Sequence, residues 1–162
     1  MGLHFSIEEF KNRKNNVIKK LKEEKIDALV MFRQESMYWL TGYDTFGYVF
    51  FQSLILDQKG NLILLTRAPD LRQARNTSNI EDIRIWVDKD DSNPTEDLKQ
   101  ILNELNLKDK NIGIEYEAYG LTGRNAINLN KSLENFCSLD DKSELITKLR
   151  VIKSPEEIVY VK

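Results

Sequence analysis

Tyr48-Val49-Phe50-Phe51-Gln52-Ser53-Leu54-Ile55-Leu56 and Leu62-Ile63-Leu64-Leu65-Thr66 flank the polar stretch Asp57-Gln58-Lys59-Gly60. Branched and aromatic side chains of this kind suit a pleated, half-buried surface. Gly60 can adopt the positive φ that a tight reversal needs. Together they predict two antiparallel strands, over 48–56 and 62–66. Upstream, Ala28-Leu29-Val30-Met31-Phe32 is a continuous apolar run, the pattern of a strand buried on both faces. Ser6-Ile7-Glu8-Glu9 forms a capping box before it, opening a helix toward Lys25 that carries Ile7, Phe10, Val17, Ile18 and Leu21, with Lys14 interrupting the stripe. Between strand and hairpin, Ser36 is placed to cap a short helix through Leu40, stopped by Gly42.

Downstream of the hairpin, helices and strands alternate. Pro69-Asp70 can begin a helix through Arg75, and Ile83 to Val87 alternates as a strand. Asn93 before Pro94 opens a helix with Leu98, Ile101, Leu102 and Leu105 on its buried stripe. Ile112-Gly113-Ile114 is a short strand, and Thr122 caps a helix bearing Ala126, Ile127, Leu129 and Leu133. A brief strand near Phe136 to Leu139 precedes a helix with Leu145, Ile146, Leu149 and Ile152. The prediction is an α/β fold: a mixed, mostly parallel sheet with one antiparallel hairpin and helices on both faces. Ser154-Pro155-Glu156-Glu157 then combines an N-cap serine, a first-turn proline and a glutamate at the third position. So strong a helix start, followed by few residues, leads us to expect a helix that continues in a longer protein.

Composition narrows the function classes. A chain of 162 residues with a formal net charge of −2 has no basic stripe to attract nucleic acid or an acidic membrane. Its first residues lack the apolar stretch of a signal peptide. Cys137 is the only cysteine and cannot form an internal disulfide, so a reducing cytoplasm is the expected compartment. Chemistry finds few candidates. His4 is the sole histidine, and a dyad would require it to fold back onto Cys137, which reads as a small core residue. Asp88, Asp90 and Asp91 surround Lys89 ahead of Pro94, the pattern of a solvated loop. Glu115 and Glu117 would point the same way if their strand continued; paired carboxylates can do acid–base work, but an edge-strand rim is the favoured reading. No glycine-rich phosphate loop is present, because Gly42 and Gly47 lie too far apart.

The segment from Tyr38 to Gln52 exceeds what a plain core needs: seven of its fifteen residues are aromatic, and Gly42 and Gly47 break it into a loop. Strand alternation would set Tyr48, Phe50 and Gln52 on one face and Val49, Phe51 and Ser53 on the other. Aromatic rings with a polar tip suit half-dry surfaces. An interface or ligand-facing role is therefore expected for Tyr43 to Gly47.

Two stretches carry a family resemblance. Met37-Tyr38-Trp39-Leu40-Thr41-Gly42-Tyr43 resembles the Tyr-Leu-Thr-Gly-Tyr/Phe element of the family that includes creatinase, prolidase, aminopeptidase P and ectoine-degrading hydrolases. Leu149-Arg150-Val151-Ile152-Lys153-Ser154-Pro155-Glu156-Glu157-Ile158 is similar to that family's junction into its catalytic domain. The resemblance implies a ribonuclease-H-like amino-terminal domain over 1–153, with 154–162 starting the linking helix to a carboxy-terminal catalytic domain. It implies that the catalytic domain holds a divalent metal pair (manganese, cobalt or zinc) on two aspartates, a histidine and two glutamates, none of which carries over here. It also implies a homodimer in which this domain covers the substrate site. Tyr43, Asp44, Phe46 and Tyr48 would supply the covering loop, and Arg67 a separate anion contact. The loop does not reproduce the Phe-Gly-Arg arrangement with which creatinase grips a substrate carboxylate. Xaa-Pro peptides are the first substrate class the resemblance implies, and creatine- or ectoine-type molecules the second. A free-standing binding module is the alternative from a different class.

Overall fold

A computed structural model describes residues 3–161. The outermost positions of both expected segments, Met1, Gly2 and Lys162, lie outside the described residues. The chain order is α1 (Ile7–Glu23), β1 (Ala28–Met31), α2 (Gln34–Thr41), β2 (Ser53–Asp57), β3 (Leu62–Arg67), a 3₁₀ turn (Ala68–Asp70), α3 (Leu71–Thr77), β4 (Asp82–Trp86), α4 (Pro94–Glu104), β5 (Asn111–Ile114), α5 (Gly123–Leu133), β6 (Ser138–Asp141), α6 (Leu145–Val151) and α7 (Pro155–Val161). One sheet runs β4-β3-β2-β1-β5-β6. β2 is antiparallel to both of its neighbours, and every other pairing is parallel.

Alternation along the central strands builds two cores. Ala28, Val30, Ile55, Ile63 and Leu65 face α4 and α5, whose Leu98, Ile101, Leu102, Leu129 and Leu133 close that layer. Leu29, Met31, Leu54, Leu56 and Leu64 face the opposite way, toward Val17 and Leu21 of α1, Met37 and Leu40 of α2, and Ile146 of α6. Helices thus cover both faces, as expected. The hairpin turn closes through Asp57, whose Oδ1 accepts the amides of Lys59 and Asn61 at 2.9 Å each, while Gly60 takes φ +91. The N-caps at Ser6, Asn93 and Thr122 form where the sequence places them, but the box at Ser6 is only half made, because Arg13 takes the Glu9 carboxylate and the Ser6 amide donates to Glu156 instead.

Several local expectations give way. The first hairpin strand begins at Ser53, not Tyr48. β1 ends at Met31, opposite Leu54, so residues ahead of Ser53 have no strand to pair with on that side. The Phe51 carbonyl is taken instead by the Trp86 indole at 3.0 Å. The two-face alternation expected for 48–53 is consequently absent over 48–52. Ile7, Ile127 and Ile152 are exposed rather than buried: Ile7 opens α1, Ile152 follows the end of α6, and Ile127 lies to the side of the Ala126, Leu129 and Leu133 face of α5. Ser36 does not cap α2, whose N-cap is Arg33. Its hydroxyl is committed to Glu115. The Glu115–Glu117 rim is also overturned. β5 stops at Ile114, and Glu115 turns inward to complete burial while Glu117 stays exposed.

Candidate functional site: an aromatic rim at the sheet's carboxyl edge

α2 ends in a left-handed Gly42 (φ +79), where a Cβ would meet Leu3 Cδ2 at 2.9 Å and the Thr77 carbonyl at 3.0 Å. That turn sends the following loop across the sheet end. Tyr43 is fully buried and donates its hydroxyl to Gln52 Oε1 at 2.7 Å; burial raises its phenol above the ordinary value. Buried Thr45 accepts the Gly47 amide at 2.9 Å. The exposed Asp44 is tied by its own amide to Thr77 Oγ1 at 3.1 Å. These bonds tie the loop to Gln52 and to Thr77 of α3, and they leave Phe46 at its tip, 87% exposed.

Tyr48, Val49 and Phe50 extend the exposed surface. The Tyr48 ring meets Tyr119 edge-on, with centroids 6.4 Å apart. Gly120 permits this approach: a Cβ there would sit 2.9 Å from the carbonyls of both Tyr48 and Phe50. Arg67 lies over the Phe50 ring at 3.4 Å and is held by Asp70 at 3.1 Å and Asp88 at 3.8 Å. Its charge is thus already neutralised by two carboxylates. Of the residues the sequence singles out, Phe46 and Tyr48 share one exposed rim, Tyr43 supports it from beneath, and Asp44 and Arg67 flank it. Val49 and Tyr119 were missed. The one sequence signal for Tyr119 is Gly120 beside it, which marks close backbone approach.

Beside the rim, a cleft of about 1180 Å³ lies past the carboxyl ends of β1 and β5, lined by Phe32, Arg33, Tyr48, Tyr119 and Arg150 among others. From β1 the chain proceeds to β2 on one side, and from β5 to β6 on the other. Such a reversal of strand order opens a crevice in α/β sheets. Glu115 holds its floor. Oε2 accepts the amides of Phe32 and Arg33 at 3.0 Å each, and Oε1 accepts the Ser36 hydroxyl at 2.6 Å. Burial pushes this carboxyl up to about 7, against the opposing pull of those donors. Glu117 pairs instead with the Arg33 guanidinium at 2.8 Å, so the two glutamates form no dyad.

The remaining candidates stay apart. His4 bonds the Tyr38 hydroxyl at 2.5 Å on the α2 side, whereas Cys137 packs against the opposite core. Burial pushes the Cys137 thiol up to about 11. Among the described residues, no group of three or more His, Cys, Asp or Glu is placed to hold a metal ion. Among the described residues, no helix is long and apolar enough to cross a membrane.

Comparison with known proteins fits this geometry. The chain is 30% identical, over 99% of its length, to an uncharacterized hydrolase/peptidase of Sinorhizobium fredii, and spans 42% of that protein. It is 28% identical over its whole length to an ectoine hydrolase of Halomonas elongata, again spanning 42% of the relative. A dipeptidase from Pyrococcus horikoshii superposes with a TM-score of 0.73 at 25% identity, over 91% of this chain and 38% of that one. The family model described as the creatinase/prolidase N-terminal domain matches residues 13–152, nearly the whole sheet and its helices. The chain therefore belongs to the creatinase/prolidase N-terminal domain family.

Proposed function

We propose that this chain is the non-catalytic amino-terminal part of a metal-dependent hydrolase, serving to dimerise the enzyme and to cover its substrate site. The observation that carries the proposal is the exposed aromatic rim of Phe46, Tyr48 and Phe50, fixed from below by Tyr43, Thr45 and Gln52. Exposed aromatic rings on a rigid support are the usual anchors of an interface. Residues 1–153 form the domain, and 154–162 begin the link to a catalytic domain that holds the divalent metal pair (manganese, cobalt or zinc). Among the described residues no group of three or more His, Cys, Asp or Glu is placed to hold a metal ion, in keeping with chemistry carried by that following domain. The compartment we assign is the cytoplasm, in keeping with a single unpaired cysteine.

The substrate class we assign is the Xaa-Pro dipeptide, supported by membership of a family that includes prolidase. Phe46 and Tyr48, with Asp44 beside them and Tyr43 supporting them from beneath, would cover the partner subunit's substrate, with Arg67 at the margin. An ectoine-type substrate is the second reading, favoured by the 28% identity to an ectoine hydrolase. The test is steady-state hydrolysis of Xaa-Pro dipeptides and of ectoine by the full-length protein bearing Phe46→Ala or Tyr48→Ala. The proposal expects KM to rise several-fold or the dimer to weaken, with the fold intact. Unchanged kinetics and unchanged oligomeric state in both variants would refute it.

A further inference from the structure

α7 presents a puzzle. It has seven residues, none of them buried. Isolated helices shorter than about 12 to 15 residues are marginal in water. Its contacts with the rest of the domain are polar and aromatic.

The support is a buried polar cluster between the starts of α1 and α7. Arg13 on α1 has a side chain only 3% exposed. Its guanidinium donates to Glu9 Oε1 at 2.8 Å and to the Trp39 carbonyl at 2.7 Å, and it pairs with Glu157 Oε1 at 3.3 Å. The same Glu157 oxygen accepts the Trp39 indole at 3.0 Å. Its other oxygen takes the Ser154 amide at 2.9 Å, closing the capping box of α7. The preceding Glu156 reaches across to α1, accepting both the amide and the hydroxyl of Ser6, the N-cap of that helix. The Phe5 ring lies 4.1 Å from the Arg13 guanidinium and meets Tyr160 edge-on. The Tyr160 hydroxyl donates to the His4 carbonyl at 2.7 Å.

We propose that Arg13 is a positioning residue: with Glu157 and Trp39 it clamps the first turn of α7, and so fixes the direction in which the chain leaves the domain. A buried ion pair contributes little net stability compared with apolar packing, but it tolerates only one arrangement, and losing one partner strands the other charge. The guanidinium hydrogen-bonds Glu9 and the Trp39 carbonyl and holds Glu157 by charge, its Nη2 making no hydrogen bond, while the Trp39 indole supplies the directional bond to the same Glu157 oxygen. Val159 and Val161 remain exposed on the clamped helix. That the fixed direction serves a following catalytic domain rests on the function proposed above; the clamp itself does not.

Amide hydrogen exchange on the purified chain tests the clamp without any enzymatic readout. The wild type should protect the Ile158 amide, which bonds the Ser154 carbonyl at 3.0 Å, by at least about tenfold over a free peptide. Arg13→Met should erase that protection while β1 and β2 amides exchange as before. Should Arg13→Met fail to fold, Arg13→Lys answers the same question, since it keeps a buried charge and leaves both Glu157 acceptor bonds in place while removing the guanidinium fork that reaches Glu9, Glu157 and the Trp39 carbonyl together; it should speed exchange over 158–161 several-fold. An unprotected wild-type α7, or a folded variant with α7 exchange unchanged, would overturn the assignment.

Discussion

Replacing Glu115 by glutamine should remove a pH dependence of stability that this one carboxyl imposes. Glu115 is completely buried, and its carboxyl titrates at about 7 in the folded chain against 4.5 for an ordinary glutamate. The folded state therefore binds this proton more tightly than the unfolded state. Its contribution is fully present below 4.5 and is lost as pH rises toward 7, beyond which it stays flat. Each tenfold change in proton affinity is worth about 1.4 kcal/mol, so the rise withdraws about 3 kcal/mol. For a chain of this size that corresponds to about 6 to 12 °C in melting temperature. Glutamine keeps an oxygen for the Phe32 and Arg33 amides, and its NH₂ can donate to the Ser36 hydroxyl, so the architecture survives without the titration. Urea and thermal melts at pH 5 and pH 8 would read the effect as a difference between the two proteins, which subtracts every other titrating group. Glu24, Asp141 and Glu156, whose carboxyls are held below the ordinary value, act at lower pH and with the opposite sign. An equal pH response in wild type and Glu115→Gln, within about 0.5 kcal/mol, would refute the reasoning. Glu115→Ala is the harsher counterpart, since it leaves two amides and a hydroxyl without their acceptor and should cost about 3 to 5 kcal/mol.

Gly47→Ala should destabilise the chain by about 1 to 3 kcal/mol in a urea melt, because the added Cβ would lie 2.6 Å from Asp70 Oδ1 and also intrude on Gln52. The thiol of Cys137, half-buried and titrating at about 11, should react with a disulfide reagent at pH 8 at least about a hundredfold more slowly than a free cysteine. Unfolding in urea should restore the ordinary rate, and a fast native reaction would contradict the placement.

What the sequence disclosed was local, and what it concealed was distant. The turn at Asp57–Gly60 and the N-cap bonds at Ser6, Asn93, Thr122 and Ser154 depend on residues within four positions of each other, and all form; the returning Glu9 half of the box at Ser6 does not, because Arg13 on the next turn takes that carboxylate. The mixed sheet with helices on both faces also followed, since continuous apolar runs such as Ala28–Met31 are buried on both faces. Glu115 was misread because its partners Phe32, Arg33 and Ser36 lie some eighty residues earlier. Tyr48 to Gln52 is rich in strand-forming residues, yet the strand starts later because β1 ends opposite Leu54 and Trp86, 35 residues on, takes the Phe51 carbonyl. Arg13 and Glu9 occupy buried positions on α1 where a periodicity argument looks for apolar residues. The aromatic loop was legible as unusual, but which rings would be exposed was not. Tyr43 and Phe51 are buried, and Phe46 is not.

In the function proposed, this chain contributes shape and surface, and the bond-breaking groups lie in the catalytic domain proposed to follow it. The most direct measurement is hydrolysis of an Xaa-Pro dipeptide by the purified chain with manganese, cobalt or zinc added, beside the full-length protein under the same conditions. The expected result is turnover by the full-length protein and none above the metal blank by the chain alone. Turnover by the chain alone, abolished by Glu115→Gln or by substitutions at Asp88 and Asp90, would contradict it.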